Sequence, residues 1–323
     1  MWRPPGEMSA PDYPESLVIE PTNSCNLRCR MCSEWGEGVT RKREVGFIPR
    51  DIWMGALDEI GAWPVRANIH LTGSGEPLLH PEFLDILRYA KDKGNIGVGF
   101  LCNATLFDAR KAEAIVALQI DTVGFSVDGA QREVFEHYRK GAILSEVEQN
   151  IERLLSLRKA GTPRVYLNMV AHQEADIGLM VERWKGKVDT IQVSLKRPVD
   201  RSVNRRIVLK KPCPSLDQTL VMGWSGHVVL CCYAGSADYA KYLIGKFPEA
   251  SLRDIWNGDP MNRARMLHRM GRHDEIDLCS NCDSDAFHDW FEMSLERTQI
   301  RVERPCIRSE WGYYLEVFNE AAR

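Results

Sequence analysis

Short apolar runs alternate with amphipathic stretches through the first two thirds of the chain. The runs Leu17–Pro21, Ala67–Thr72, Ile96–Leu101, Thr122–Val127, Val165–Val170 and Thr190–Leu195 have the length and apolar density of buried strands. Between them, apolar spacings of three and four residues predict helices over Asp51–Ile60, Pro81–Asp92, Asp108–Leu118, Ser145–Ala160 and Glu174–Trp184. Pro81 suits a first helical position and Gly94 a C-terminal cap. Ser145 with Glu148 reads as a capping box, and Gly161 closes that helix. Strands alternating with helices imply parallel strands joined by right-handed crossovers. Six such units predict an α/β fold, a partial (βα)6 barrel, with an open doubly wound sheet as the other arrangement. Both place chemistry at the C-terminal ends of the strands.

The texture changes after about Lys196. The segment Lys196–Lys211 holds seven basic residues and one acid, Asp200. A hairpin is expected next: Thr219–Trp224, a Ser225–Gly226 turn, then His227–Cys232. Short helices near Leu252–Trp256 and Asp285–Arg297 complete a small C-terminal α+β domain. The expected organisation is an extension over 1–16, a barrel over 17–196, and a linker with the smaller domain over 197–323.

Composition narrows the function classes. The 323 residues are 44% hydrophobic and 27% charged, enough for a sizeable core. Lys plus Arg is 42 against 45 for Asp plus Glu, which argues against a dedicated nucleic-acid binder. No apolar run approaches the ~20 residues of a membrane helix. Met1–Glu15 lacks the apolar centre of a signal peptide. A cytoplasmic location is therefore expected. In that reducing compartment the ten cysteines read as metal ligands rather than disulfides.

Cys25, Cys29 and Cys32 form a C-x3-C-x2-C triad in the loop after the first strand. Structural zinc usually takes four ligands. Three thiolates can instead hold three irons of a [4Fe–4S] cluster and leave the fourth open. A zinc knuckle with a remote fourth ligand is the other reading of this triad.

The triad, placed after strand one of a (βα)6 pattern, resembles the radical S-adenosylmethionine (SAM) superfamily. Further positions match in order. His70-Leu-Thr-Gly-Ser-Gly-Glu-Pro77 looks like the family's "GGE" segment, which implies that Gly75 and Glu76 meet the SAM amino group. Asn103 resembles the family's "TNG"-like position. Ser126 and Asp128 end the fourth strand, where the family often contacts the SAM carboxylate or ribose. Asn168 and Val170 end the fifth, near the expected ribose or adenine. Met31 stands where many members carry an aromatic residue, and the resemblance leaves it packing on adenine. This likeness covers about Leu17–Lys196.

A second set resembles the superfamily's C-terminal SPASM/Twitch extension: Cys213, then Gly226-His-Val-Val-Leu-Cys231, then Cys279-x2-Cys282. Ile244–Gly258 looks like the same extension. The full SPASM pattern continues with further cysteines, and here none follows Cys282 at short spacing. That departure implies one auxiliary cluster, saturated by four thiolates, as in the shorter Twitch form. The spacing alone admits a four-thiolate zinc site as well. Cys102, Cys232 and Cys306 remain. By the two-residue period, Cys102 points away from the barrel interior if Asn103 points into it. Cys232 and Cys306 read as packing residues or as hydrogen-donor thiols, with Cys232 also an alternative ligand.

The resemblance implies two [4Fe–4S] clusters, SAM, and a 5′-deoxyadenosyl radical that abstracts hydrogen from a sugar, cyclitol or natural product. A saturated auxiliary cluster is an electron acceptor, which favours a two-electron oxidation. An epimerase with Cys232 or Cys306 as donor, and a peptide-modifying maturase, are the alternatives. Only about sixteen residues precede strand one, so a fused leader-binding module is not expected. A non-catalytic iron–sulfur or zinc protein is a remote alternative. Arg41-Lys42-Arg43 and Lys196–Lys211 read as solvated surface, or as docking sites for a flavodoxin- or ferredoxin-type electron donor or an anionic substrate. His70, His172, Lys196, Arg197, His227, Tyr233 and His288 are candidate pocket groups. No nucleic acid or membrane partner is expected.

Overall fold

The structure, a computed structural model, describes residues 10–40, 43–171, 176–195, 212–235, 239–280, 282 and 290–303. The elements begin β1 (Ser16–Ile19), α1 (Arg50–Gly61), β2 (Ala67–Leu71), α2 (Phe83–Asp92), β3 (Ile96–Cys102), α3 (Ala109–Ala117) and β4 (Thr122–Ser126). They continue α4 (Arg132–Tyr138), α5 (Leu144–Leu157), β5 (Arg164–Ala171), α6 (Asp176–Trp184) and β6 (Thr190–Leu195). The remainder is α7 (Ser215–Gln218), β7 (Thr219–Met222), β8 (His227–Val229), β9 (Leu243–Lys246), α8 (Leu252–Trp256), α9 (Asp259–Arg269), α10 (Asp277–Ser280), β10 (Trp290–Leu295) and β11 (Thr298–Glu303).

The chain divides into two compact units. The first comprises Met1–Cys25, Thr40–Phe100 and Leu209–Cys282; the second comprises Asn26–Val39, Leu101–Val208 and Asp283–Arg323. In the first, β1, β2 and β3 run parallel, and β7 joins the free side of β1 in parallel register, Leu17 opposite Leu220. Antiparallel β8 and β9 then extend that sheet. Trp53, Ala56, Leu57 and Ile60 of α1 and Phe83, Ile86, Leu87 and Ala90 of α2 are buried, one stripe per helix. Phe83 meets Phe100 edge-on at 5.1 Å. In the α8–α9 region, Arg265 is buried. Its Nε donates to Leu216 O and its Nη1 to Trp256 O, both at 2.9 Å, and it lies over the Trp256 ring. Desolvation pulls that guanidinium down to about 10.

In the second unit, β4, β5, β6 and β11 run parallel, and β10 pairs antiparallel with β11. Phe125, Leu167, Ile191 and Ile300 are fully buried on one face. Phe107 meets Phe125 edge-on at 5.1 Å. Asp108 caps α3 by accepting from Lys111 N–H at 2.8 Å.

The six expected strands and five helices are present within one to three residues at most ends. The expected helix over Asp285–Arg297 is replaced in its described part by strand β10, which pairs with β11. Ser145 lies inside α5, whose N-cap is Ile143, and Glu148 bonds Arg183 at 2.8 Å instead of closing a capping box. Pro81 precedes α2, whose N-cap is Glu82. Gly94 has φ +77 and donates back to Lys91 O, as a helix-closing glycine does. Gly161, also left-handed, sits in a turn after the helix has ended at Leu157. Among the described residues no helix is long and apolar enough to cross a membrane. His172, Lys196, Arg197, His288, Cys306, Arg41, Lys42 and the rest of the Lys196–Lys211 segment lie outside the described residues.

Candidate active site

In the second unit the loop bearing Cys29 and Cys32 is tied to the chain after α4. Arg28 N–H donates to Lys140 O at 3.0 Å and Arg30 N–H to Tyr138 O at 2.8 Å. Cys32 N–H donates to Cys29 O, and Gly36 N–H to Cys32 O. Trp35 N–H donates to Cys32 Sγ at 3.2 Å. A Cβ at Gly36 would collide with the Cys32 carbonyl, so only glycine lets the loop close there. Burial pushes the Cys29 thiol up, and the Arg139 guanidinium opposes that shift. Met31 is half-buried beside them. A backbone N–H aimed at a cysteine sulfur favours the thiolate and tunes cluster sulfurs, so this donor set fits an iron–sulfur group.

The ends of β4 and β5 in the same unit are tied by Asp128. Its Oδ1 accepts from Val170 N–H at 2.9 Å, and its Oδ2 pairs with Arg139 Nε at 2.7 Å. Val127 N–H donates to Asn168 O at 3.0 Å. Ser126, Asn168 and Val170 are half-buried. Asn103 is buried, and its amide organises the adjoining loop. It donates to Asn26 Oδ1 at 2.9 Å and accepts from Thr105 N–H and Oγ1 at 3.0 and 2.7 Å. Cys102 is buried, as its place in the strand alternation requires.

In the first unit, Gly75 and Glu76 pack against Thr22–Ser24, the residues before half-buried Cys25. Glu76 N–H donates to Ser24 O at 2.7 Å, and a Cβ at Gly75 would collide with the Ser24 and Thr22 carbonyls. The Glu76 carboxylate is buried and caps the short turn Pro77–Leu79 through Leu78 N–H at 3.1 Å. Glu20, at the end of β1, pairs with Arg43 at 2.5 Å and accepts from Ser74 N–H at 2.9 Å. Arg43 lies over the Tyr239 ring at 4.1 Å. His70 is half-buried on β2, where desolvation lowers its pKa. Ser225 Oγ bonds His227 Nδ1 at 2.8 Å. Tyr233 is exposed.

The later cysteines share the first unit. Cys213 N–H donates to Nδ1 of buried His268 at 3.2 Å, and Cys282 N–H to Cys279 O at 3.2 Å. Burial pushes the Cys231 thiol up to about 12, with Cys232 and Cys282 adding to the shift. The Cys232 residue presents surface to solvent. Its thiol is nevertheless raised by desolvation first, and by Cys213 and Cys282 among the nearby charges. Thiols held protonated by burial and by one another release their protons most readily to a cation that binds them as thiolates, which fits an iron–sulfur group. Among the described residues no three His, Cys, Asp or Glu side chains close on a single ion position.

Three side chains of this machinery escape the sequence reading. Arg139 lies in a His-Tyr-Arg-Lys-Gly stretch that looks like surface. His268 sits on a polar helix, and Glu20 in the first predicted strand, Leu17–Pro21. Their partners are eleven, 55 and 23 residues away, so no local periodicity marks them.

Residues 19–177 match the radical SAM superfamily, and residues 213–283 match an iron–sulfur cluster-binding domain, SPASM. A "tungsten-containing aldehyde ferredoxin oxidoreductase cofactor-modifying protein" of Pyrococcus furiosus is 34% identical over 329 residues, covering 84% of this chain and 88% of that protein. BtrN, solved in complex with AdoMet and 2-DOIA, superposes with a TM-score of 0.61 at 16% identity, over 85% of this chain and 94% of that one. The enzyme anSMEcpe, solved with bound AdoMet, gives a TM-score of 0.61 at 15% identity over 95% of each chain. These likenesses place the chain in the partial-barrel α/β fold.

Proposed function

This chain belongs to the radical SAM superfamily and carries a C-terminal iron–sulfur cluster-binding domain, and on that premise we propose that it oxidises a small organic substrate by two electrons. Its cofactors are SAM, a SAM-binding [4Fe–4S] cluster and an auxiliary iron–sulfur cluster. Cys25, Cys29 and Cys32 hold the first cluster; Cys213, Cys231, Cys279 and Cys282 hold the second. Bound there, these groups supply the electron and 5′-deoxyadenosyl radical that remove a substrate hydrogen atom, and an acceptor for the substrate's second electron.

The protein's part is holding and excluding. Gly75 leaves room beside the Ser24 carbonyl, and Glu76 offers a carboxylate to the SAM amino group. Ser126 and Asn168 would hold the ribose, and Val170 and Met31 would pack on the adenine. Asp128 pairs with Arg139, whose guanidinium would take the SAM carboxylate, and Asn103 fixes its adjoining loop. Domain limits of 1–16, 17–196 and 197–323, a cytoplasmic location and a flavodoxin- or ferredoxin-type donor belong to the same proposal.

The observation that carries oxidation over epimerisation is that Cys213, Cys231, Cys279 and Cys282 all belong to one compact unit, a set of four thiolates that would saturate an auxiliary cluster and leave it as an electron acceptor. Cys232 stands beside that set and outside it, and its residue presents surface to solvent. Anaerobic turnover in D2O with SAM, a reductant and candidate sugars or cyclitols tests this. Oxidised product should form with the abstracted hydrogen in 5′-deoxyadenosine and no solvent deuterium at the reacting carbon. Deuterium at an inverted carbon, lost in Cys232→Ala while 5′-deoxyadenosine still forms, would establish the epimerase instead.

Glu76→Gln separates charge from structure, because the amide oxygen still accepts from Leu78 N–H. A carboxylate–ammonium contact is worth ~1.5–3 kcal/mol. SAM affinity is therefore expected to fall about tenfold or more with iron content unchanged. Equal SAM affinity by calorimetry would remove Glu76 from the cofactor site.

A further inference from the structure

In the first unit one buried carboxylate gathers N–H groups from three separate segments. Glu20 directly follows β1 and is buried. Its oxygens accept from Arg43 Nη1 and Nη2 at 3.2 and 2.5 Å, from Ser74 N–H at 2.9 Å and from Trp224 N–H at 3.3 Å. Arg43 Nη1 also lies 3.4 Å from Ser74 Oγ, so Ser74 is held by both members of the ion pair. The Arg43 guanidinium is stacked on the Tyr239 ring at 4.1 Å, and the Tyr239 hydroxyl donates to His227 O at 3.2 Å. Trp224, His227 and Tyr239 all belong to the stretch that matches the iron–sulfur cluster-binding domain.

The segments meet without slack. A Cβ at Gly73 would collide with the Glu20 side chain, and one at Gly223 with the Tyr239 hydroxyl. A Cβ at Gly46 would collide with the Trp224 ring. Together with the close approach of Gly75 to the Thr22 and Ser24 carbonyls, these contacts lay the Gly73–Glu76 segment flat on the chain between Glu20 and Ser24. An apolar pair of similar volume would fill this space without the desolvation that a buried carboxylate and guanidinium incur. What the ion pair adds is direction: each oxygen of Glu20 is aimed at named donors, and Ser74 is fixed from its backbone and its hydroxyl at once.

We infer that Glu20 is a positioning residue for SAM, and that the C-terminal domain shares in that task through Trp224 and Tyr239. The inference rests on the proposed function, in which Gly75 and Glu76 meet the SAM amino group. Glu20 acts through the segment: it anchors Ser74, the residue directly before Gly75, so that the Glu76 carboxylate is held in place before the cofactor arrives. Arg43 locks the Glu20 carboxylate in one orientation by a two-pronged contact that a lysine does not reproduce. Tyr239 in turn holds the guanidinium against its ring. The domain assigned to the auxiliary cluster thus has a second use, as part of the support beneath the SAM-contact segment.

The test is SAM affinity by calorimetry on the anaerobically reconstituted holoenzyme, together with the SAM dependence of 5′-deoxyadenosine formation. Glu20→Gln keeps the size of the side chain and loses the charge that holds Arg43. It should raise Kd and KM for SAM about tenfold and leave kcat within about twofold, because support is lost from binding and not from the chemical step. Arg43→Lys and Tyr239→Leu should each raise them severalfold. Glu59→Gln is the control. Glu59 accepts from Leu252 N–H and Arg253 N–H at 3.0 and 2.9 Å in the same unit, so its loss should lower the urea midpoint without moving KM. Partial unfolding lowers kcat and leaves KM alone, which separates positioning from a merely structural role. If Glu20→Gln fails to take up iron, Arg43→Lys and Tyr239→Leu decide. Unchanged SAM affinity in Glu20→Gln, or in both of the other two variants, or an equal loss in Glu59→Gln, overturns the inference. An unchanged Tyr239→Leu beside a weakened Arg43→Lys overturns the share given to the C-terminal domain. Equal SAM affinity in Glu76→Gln is a failure of the proposed cofactor site and of this inference with it. Weaker binding in Glu76→Gln with no change in Glu20→Gln is a failure of this inference alone.

Discussion

Replacing Cys25, Cys29 and Cys32 together by Ala is expected to abolish reductive SAM cleavage and to lower iron from about eight to about four per chain after anaerobic reconstitution. The remaining four irons belong to the later thiol set, which lies between residues 213 and 282 and shares no ligand with the triad. The effect is large because the three thiolates are the whole ligand set proposed for this cluster. The local backbone already points Trp35 N–H at Cys32 Sγ, and the close turn at Gly36 fixes that geometry. Removing Cys213 and Cys282 should do the converse, leaving about four irons and retaining SAM cleavage to 5′-deoxyadenosine. About one zinc per chain beside four irons would assign the later thiols to zinc and take the electron acceptor out of the proposed oxidation. Single Ala variants of Cys231 and Cys232 add a sharper comparison. Loss of the later cluster's visible absorption with Cys231→Ala but not Cys232→Ala is the expected pattern.

The parallel core was legible in the sequence because its signal is local. Ile96–Cys102 is a continuous apolar run buried on both sheet faces, while Ala67–Leu71 and Thr190–Leu195 alternate apolar and polar residues at the two-residue period of a strand. The triad was legible because cluster ligands must sit on one short loop. The β10–β11 hairpin was not. Trp290, Phe291, Met293 and Leu295 have spacings a helix would use, whereas pairing with β6 through β11 decides for strand. The turn gives no warning either, since Glu296, not glycine or asparagine, takes the left-handed position at φ +53. The alternation Thr298-Gln-Ile-Arg-Val-Glu303 was the available clue, and it also places Arg301 on the polar face. Asp128 was visible as a strand-end polar residue. Its partner Arg139 was not, because the pair is made across a loop and only tertiary structure brings the two charges together.

That pair carries the largest expected stability effect. The Asp128 side chain is 0% exposed and that of Arg139 11% exposed. Asp128→Ala removes the countercharge of a guanidinium that stays buried, and it also takes the acceptor from Val170 N–H. Breaking a buried ion pair from one side costs about 3–5 kcal/mol, and an orphaned buried N–H costs about 1–3 kcal/mol. Domains are commonly stable by only ~5–15 kcal/mol, so a marked loss of soluble protein is expected as well. Arg139→Ala should cost a similar amount, because it leaves a fully buried carboxylate behind. Asp128→Asn should cost less, since the amide oxygen still serves Val170. The double variant Asp128→Leu with Arg139→Met removes both charges and should recover part of the loss, as buried pairs often tolerate apolar replacement. Urea midpoints of the reconstituted proteins, measured anaerobically, give the comparison. Strictly additive losses would show that the two side chains do not act as a pair. Recovered stability without recovered SAM affinity in the double variant would separate the two roles assigned to Arg139, holding the strand ends together and holding the cofactor's carboxylate.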